Sequence, residues 1–397
     1  MLITRQNELE TLCGQLRAAQ PIALDTEFIS ERCYSARLCL LQVYACGPGD
    51  PVEGLIDPFS VGLAPLLELV SDPEVTKIVH SGGQDLQILF GESGRPARSV
   101  FDTQIAAAFL GYGHQIGYTE LVRRVLGGPS LSKEAQYSNW AARPLSPEQM
   151  EYALDDVRYL PALFDILRSR LLERGRLTWA ESEFSRAEEK AASPMAPEDL
   201  YRKLNLSGLS RRQLGALREL ASVRDEIARS IDKPPSFVVP DTALIQMARQ
   251  PPASIATMRS MRGMPSIPSE QANQFLAALK TAAALQTEQL PHRQMGESSD
   301  PRTDSVAALL NVVAQVRAAE QEVSRTYLAP RDQIQTLASW WLSSSRTPTP
   351  PDIPLLSDWR RQLLGAEMLD LLDGEVAITL HSHGRASESL LRVVRIK

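Results

Sequence analysis

Two carboxylates set two residues apart inside an apolar run constrain this chain more than any other feature. The run IALDTEFIS, residues 22–30, otherwise has the length and composition of a buried strand. Successive strand side chains point to opposite faces, so Asp25 and Glu27 share one face and Thr26 takes the other. Like charges side by side oppose folding unless something positive lies between them, because an uncompensated buried charge shifts its pKa or forces a rearrangement. A divalent metal meets that need. An edge strand with both groups hydrated meets it too, and the rest of the chain must decide.

The chain is 397 residues long, more than a single core usually organises, so roughly two to four domains are expected. Hydrophobic content of 43% and charged content of 23% exclude a wholly disordered or fibrous chain. The opening residues carry charge where a secretory leader needs an apolar run, and no stretch has the uninterrupted apolar length of a membrane span, so the sequence reads as cytoplasmic. Cys13, Cys33, Cys39 and Cys46 lack C-x-x-C spacing, which points to reduced cysteines and not to a zinc site or a disulfide framework. The net charge of −6 is unevenly spread: −8 over residues 1–190, +4 over 191–282 and −2 over 283–397. A carboxylate metal site suits the first segment and a phosphate-binding surface the second.

Between residues 20 and 80 short apolar runs alternate with turn signals, in PIALDTEF, RLCLLQVYA, GLIDPF and TKIVHS, and each predicts a strand. From about residue 84 the period becomes helical, through QDLQILFG, DTQIAAAFLG, YTELVRRVLGG and the long SPEQMEYALDDVRYLPALFDILRSRLLERG. Ser146 and Pro147 mark the start of that last stretch and Gly175 its stop. A sheet followed by helices that can cover it is an α/β domain over 1–190. Linkers are expected at AASPMAPED and at 291–305, leaving two helical domains, 198–283 and 304–376, and a tail, 377–397, that is either a short hairpin or a frayed basic end.

Three further signals bear on Asp25 and Glu27. Tyr152 and Asp156, four apart in YALDDVRYL, project from one face of a helix. Asp85 follows the small-residue turn of VHSGGQD and opens a helix, where a carboxylate also serves as an N-terminal charge or cap. Asp102 in VFDTQIA is read as a helix cap. This ordered set, Asp25, Glu27, Asp85, Tyr152 and Asp156, resembles the DEDD exonucleases of the tyrosine subclass, and the blocks LDTEF, RLCLLQVY, GGQDLQIL, FDTQIAAAFLG and SNWAARPLSPEQMEYALDDVRYLPAL resemble those of the ribonuclease D group within it.

That resemblance implies a ribonuclease H-like exonuclease domain, a mixed sheet flanked by helices, followed by two small all-α domains. Residues 209–252 are similar to the C-terminal domain shared by helicases and ribonuclease D, and 304–376 look like a diverged second copy. It also implies two divalent ions, Mg²⁺ or Mn²⁺, with Asp25 bridging them, Glu27 and Asp156 completing the site of the attacking water, Asp85 holding the second ion and Tyr152 orienting the water. The implied activity is 3′–5′ trimming of single-stranded RNA, tRNA precursors among them, by a monomer that releases nucleoside 5′-monophosphates. Candidate RNA contacts are His80, Lys133, Trp140 and Arg143 around the catalytic blocks, and Arg202, Lys203, Arg211, Arg212, Arg259 and Arg262 in the basic segment. A DNA exonuclease of the same superfamily and a non-catalytic RNA-binding scaffold are the alternatives. Where the family often has an Arg this chain has Ser30, and where it often has Tyr-Pro this chain has Ser35-Ala36.

Overall fold

The computed structural model describes residues 1–396 apart from Pro48 and the segments 129–137, 292–299, 344–348 and 381–390. Six strands form one mixed sheet: β1 (Leu2–Ile3), β2 (Ile22–Ile29), β3 (Arg37–Ala45), β4 (Val52–Ile56), β5 (Lys77–Val79) and β6 (Val100–Asp102). Their order is β1-β4-β3-β2-β5-β6, antiparallel across β4-β3-β2 and parallel at both flanks. The four strands expected from turn-bounded apolar runs are present. β1 and β6, at two and three residues, are too short to show a period and were not anticipated.

The sheet is covered on both sides. Helices α1 (Gln6–Ala19), α2 (Ala64–Ser71) and α3 (Gly83–Ser93) bury Leu9, Leu16, Leu66 and Leu89 against Ile22, Leu24, Leu41 and Val43. The other face carries α4 (Thr103–Ala108), α5 (Tyr118–Leu126), α6 (Pro147–Arg158), α7 (Leu160–Glu173) and α8 (Leu177–Ala191). The long helical stretch predicted from Ser146 is two helices, because Pro161 sits in the first turn of α7 and cannot continue α6. Gly175, at φ 65, closes α7 as expected. A bulge on β3 pairs Glu27 with Leu40 but Phe28 with Leu38. Cys39 and Leu40, though adjacent, therefore both face the α6 side, while Leu38 and Leu41 face the α1 side.

Beyond the α/β segment the chain is helical. A 3₁₀ turn at Pro197–Lys203 leads into α9 (Arg211–Ser230), α10 (Pro235–Val238), α11 (Asp241–Arg249), α12 (Ile255–Arg259) and α13 (Ser269–Ala284), which enclose a separate core around Leu217, Leu244, Met247 and Phe275. A second set, α14 (Pro301–Glu320), α15 (Arg325–Leu328) and α16 (Arg331–Leu342), repeats the opening of the first: a 20-residue helix, a four-residue helical turn, then a helix entered through Pro240 or Pro330. Short helices α17 (Asp358–Arg360) and α18 (Ala366–Leu372) follow. The tail pairs β7 (Val376–Leu380) with β8 (Leu391–Arg395), so it is a two-stranded antiparallel ladder and not a frayed end. Among the described residues no helix is long and apolar enough to cross a membrane.

The two helical sets relate differently to the sheet. Leu310, Ile334, Leu337, Trp359 and Leu364 of the second set share one continuous core with Phe109, Leu163, Leu167 and Phe184. Trp359 stacks on Trp179 at 5.1 Å and meets Phe109 edge-on at 5.4 Å. Arg360, 3% exposed, donates to Glu183 at 2.5 Å and to the Tyr327 carbonyl at 2.7 Å, and Ser324 N donates to the Ala108 carbonyl at 2.8 Å. The second set therefore completes the core of the α/β segment and does not pack as an independent body. Trp359→Ala should cost about 3–5 kcal/mol of stability, the usual range for deleting a buried aromatic. Hydrogen exchange checks where the loss falls. Protection of α7 drops along with that of α16, whereas an unchanged α7 would show that the two segments unfold independently.

Candidate active site

β2 lies between α3 and α6, and its alternation distributes the acids. Asp25 and Glu27 share the face that meets α6, where their carboxylate oxygens and one from Asp156 all lie within 4.8 Å of one another. Thr26, on the opposite face, donates its hydroxyl to Asp85 in the first turn of α3. The strand thus holds three acids through one face and the fourth through the other. Sequence reading placed Thr26 on the opposite face but gave it no partner; that a hydroxyl between two acids had something to hold was the available signal.

The turn that presents Asp85 is held by Asp102. Its carboxylate caps α4 through Gln104 N and Ile105 N at 2.8 and 3.2 Å, and also accepts from Ser81 N and Gly82 N, each at 3.1 Å. The capping role was expected, and the grip on the turn adds to it. Glycine is required at 82, since a Cβ there would come within 2.6 Å of Val79. On the other side α6 starts with a Ser146–Gln149 capping box and is tied to β4 through Arg158, which pairs with Glu53 at 3.0 Å. Tyr118, which sequence reading also passed over, donates to the Asp155 carbonyl at 2.9 Å, one residue from Asp156.

These groups line a cleft of about 700 Å³ together with Ser30, Glu31, Gln84 and Trp140, and among its described lining there is no lysine or arginine. Electrostatics follow from that imbalance. Burial raises the Asp25 carboxyl well above the usual range, and the charges of Asp85, Asp156 and Glu27 push it further. Burial and then Asp156 and Asp85 push Glu27 up to about 8. Asp156 is pushed up to about 7, chiefly by burial, with a hydrogen bond from Tyr152 opposing. Asp85 is raised by burial against the Thr26 hydrogen bond, and the Tyr152 phenol is raised by burial and the neighbouring carboxylates. Gln42, directly across the ladder from Asp25, is fully buried with no hydrogen-bond partner for either amide atom. Clustered oxygen donors with no protein cation to balance them fit a hard divalent ion. A second cleft of about 660 Å³ beside Arg37, Phe59 and Arg95 has no comparable cluster, so chemistry and not volume singles out the first.

The remaining candidates separate clearly. His80 has both ring nitrogens engaged, with Thr103 Oγ1 at 2.9 Å and the Ile116 carbonyl at 3.1 Å. Trp140, 3% exposed, is packed 6.1 Å from Tyr152 as part of the cleft wall. Arg143 is turned inward, donating to Asp57 at 2.8 and 3.0 Å and to the Cys39 and Trp140 carbonyls. Lys133 lies outside the described residues. In the first helical set Arg211 donates to the carbonyls of Thr287, Leu290 and Pro291, Arg212 to that of Leu285 and Arg259 to that of Ile267, while Arg202 pairs with Asp199 at 2.8 Å. Lys203 and Arg262 are exposed.

Each raised carboxyl binds its proton more tightly in the folded chain than in the unfolded one, so the stability it contributes is present below about pH 4 and lost as pH rises through about 7 to 8. Without metal, the protein should lose thermal stability over that window. Asp156→Asn should flatten the loss and melt above the parent protein at high pH. Calorimetry in chelator tests this, and equal slopes for the two proteins would place the pH dependence elsewhere.

Comparison with known proteins agrees with this geometry. Residues 1–172 match a 3′-5′ exonuclease family and residues 213–279 an HRDC domain. The ribonuclease D of Gluconacetobacter diazotrophicus is 33% identical over 382 residues, covering 95% of this chain and 94% of that protein. That of Zymomonas mobilis is 31% identical, covering 98% of each. The crystal structure of Escherichia coli RNase D, described as an exoribonuclease involved in structured RNA processing, superposes with a TM-score of 0.82 at 31% identity over 94% of this chain and 98% of that one.

Proposed function

Because the chain belongs to the ribonuclease D family of 3′–5′ exoribonucleases, we propose that it trims single-stranded 3′ tails of RNA, tRNA precursors among them, one nucleoside 5′-monophosphate at a time. The observation that carries this reading is the convergence of Asp25, Glu27, Asp85, Tyr152 and Asp156 on one open cleft whose described lining holds no lysine or arginine. Two ions, Mg²⁺ or Mn²⁺, held by the four carboxylates with Asp25 between them, would acidify a water and neutralise charge on the attacking and leaving oxygens.

The chain's own groups do the rest. Close-set acids keep the ion sites in register, and Tyr152, its phenol raised by burial, keeps its proton at neutral pH and orients the water without acting as its base. Hydrolysis of a terminal phosphodiester gripped by the cleft's acids takes its 3′ nucleotide unpaired, and the sequence has no G-x-x-x-x-G-K-[ST] motif to power unwinding. We read the enzyme as a cytoplasmic monomer.

A 3′-labelled hairpin RNA with a single-stranded tail, incubated with Mg²⁺, with Mn²⁺ or with chelator and beside a matching DNA, tests the reading. The expected result is a ladder of products that stops a few bases before the stem and disappears in chelator, and Asp25→Asn abolishes it while RNA binding is retained. Digestion straight through a stable stem, or internal cuts, would defeat it. Lys203 and Arg262 are the phosphate contacts proposed for the helical set. Replacing both with Gln should reduce the slope of log K against log salt by about 0.7 per contact for a single strand. An unchanged slope would put the RNA path on another surface.

A further inference from the structure

The first helical set has a core of its own, and among the described residues one side chain from segment 1–190 packs on it: Tyr34. Tyr34 lies in the turn between β2 and β3. Its hydroxyl donates to Asp225, 2.8 and 2.9 Å from the two carboxylate oxygens, and accepts from Arg229 Nη2 at 3.1 Å. Arg229 also donates to Asp225 at 3.0 Å and holds its guanidinium 5.4 Å from the Tyr34 ring centroid. The Tyr34 backbone N–H donates to Asp232 Oδ1 at 3.0 Å. Asp225 is 6% exposed while Arg229 and Asp232 are exposed, so the network is charge-assisted, buried at its central carboxylate and open to solvent at its cation.

The other end of the same turn is the cleft. Phe28, Ile29, Ser30 and Glu31 line it, and two residues separate Glu31 from Tyr34. Three residue steps reach at most about 10–11 Å even when extended, so Tyr34 stays within that distance of the cleft rim and its anchoring limits where the rim can go. Within the turn Ser30, Glu31, Arg32 and Ser35 are exposed, Cys33 is half-buried and Ala36 packs on the core of the α1 side, so Tyr34 is the residue of this turn that packs on the first helical set. The second helical set is fused to the catalytic segment by a continuous apolar core, whereas the first grips the rim of the cleft through one tyrosine.

On the exonuclease reading above, we propose that Tyr34 is a positioning residue for hydrolysis: gripped by Asp225, Arg229 and Asp232, it sets the rim Ser30–Glu31 against which the terminal nucleotide seats. The first helical set thereby acts on turnover from outside the cleft, in addition to any RNA it binds. Tyr34→Phe removes the hydroxyl and keeps the ring that packs on the helical core, and Asp225→Asn removes the charge from the other side.

Single-turnover digestion of the tailed RNA at saturating enzyme and metal reads the effect. Each variant should slow turnover on the order of five- to tenfold, part of the worth of one charge-assisted hydrogen bond because Tyr34 acts on the cleft only through the turn, while RNA affinity stays within about twofold. The double variant should be no slower than either single one, because both break one network. A second readout needs no activity: trypsin should cut after Arg32, exposed in the turn, faster in Tyr34→Phe than in the parent protein without metal or RNA. Unchanged turnover, weakened RNA binding at unchanged turnover, additive effects, or equal trypsin rates would each overturn the proposal. If the parent protein itself leaves RNA intact with both metals, the exonuclease reading fails instead, and the trypsin comparison alone decides whether the latch exists.

Discussion

Mutual repulsion among four carboxylates is the constraint around which this structure is arranged. Burial raises the proton affinity of Asp25, Glu27, Asp85 and Asp156, and the neighbouring acids raise that of Asp25 and Glu27 further, in a cleft whose described lining offers no lysine or arginine. A scaffold that holds such a set must be stiff, because any freedom would let the charges separate. The stiffness comes from groups behind the cleft and from one on its wall, Tyr118. Asp102 ties the turn before α3, the capping box and Arg158 fix α6, and Tyr118 pins the carbonyl beside Asp156. On the proposed reading that arrangement is what makes the site useful: divalent ions, which would relieve the repulsion, are the kind that phosphodiester hydrolysis employs.

Much of this was legible in the sequence, for identifiable reasons. Strand alternation put Asp25 and Glu27 on one face, helical spacing paired Tyr152 with Asp156, and Ser146-Pro147 announced α6, all of which depend on local geometry. What escaped depends on contacts distant in the chain. Arg143 looked like a free cation beside the catalytic blocks, but Asp57, 86 residues away, claims it. The arginines of the basic segment looked like phosphate ligands, but several close off carbonyls at the ends of neighbouring helices. A charge count registers that a guanidinium exists and not whether it is already occupied.

The same limit hid the unequal status of the two helical sets. Their sequences read as two copies, and their first three helices do repeat one plan. Periodicity shows which face of a helix is apolar but not what covers it. In the first copy the apolar faces turn on one another around Phe275, while in the second Trp359 and Leu337 turn on Phe109 and α7. Equivalent segments have thus been put to different uses, one as an appendage on a polar hinge point and the other as masonry.

That shared core has a consequence for how the protein comes into being. A ribosome releases the acidic cleft's last carboxylate, Asp156, long before it releases Leu337, Trp359 and Leu364, which cover the apolar flank of α7 and α8. The nascent catalytic segment therefore emerges with an unsatisfied hydrophobic surface, and its core closes only when nearly the whole chain has been made. A message broken or stalled before that point yields a product with every reactive group but an open apolar flank, exposed to chaperones and proteases. For an enzyme that consumes RNA ends, the order of synthesis itself withholds a finished nuclease from incomplete chains.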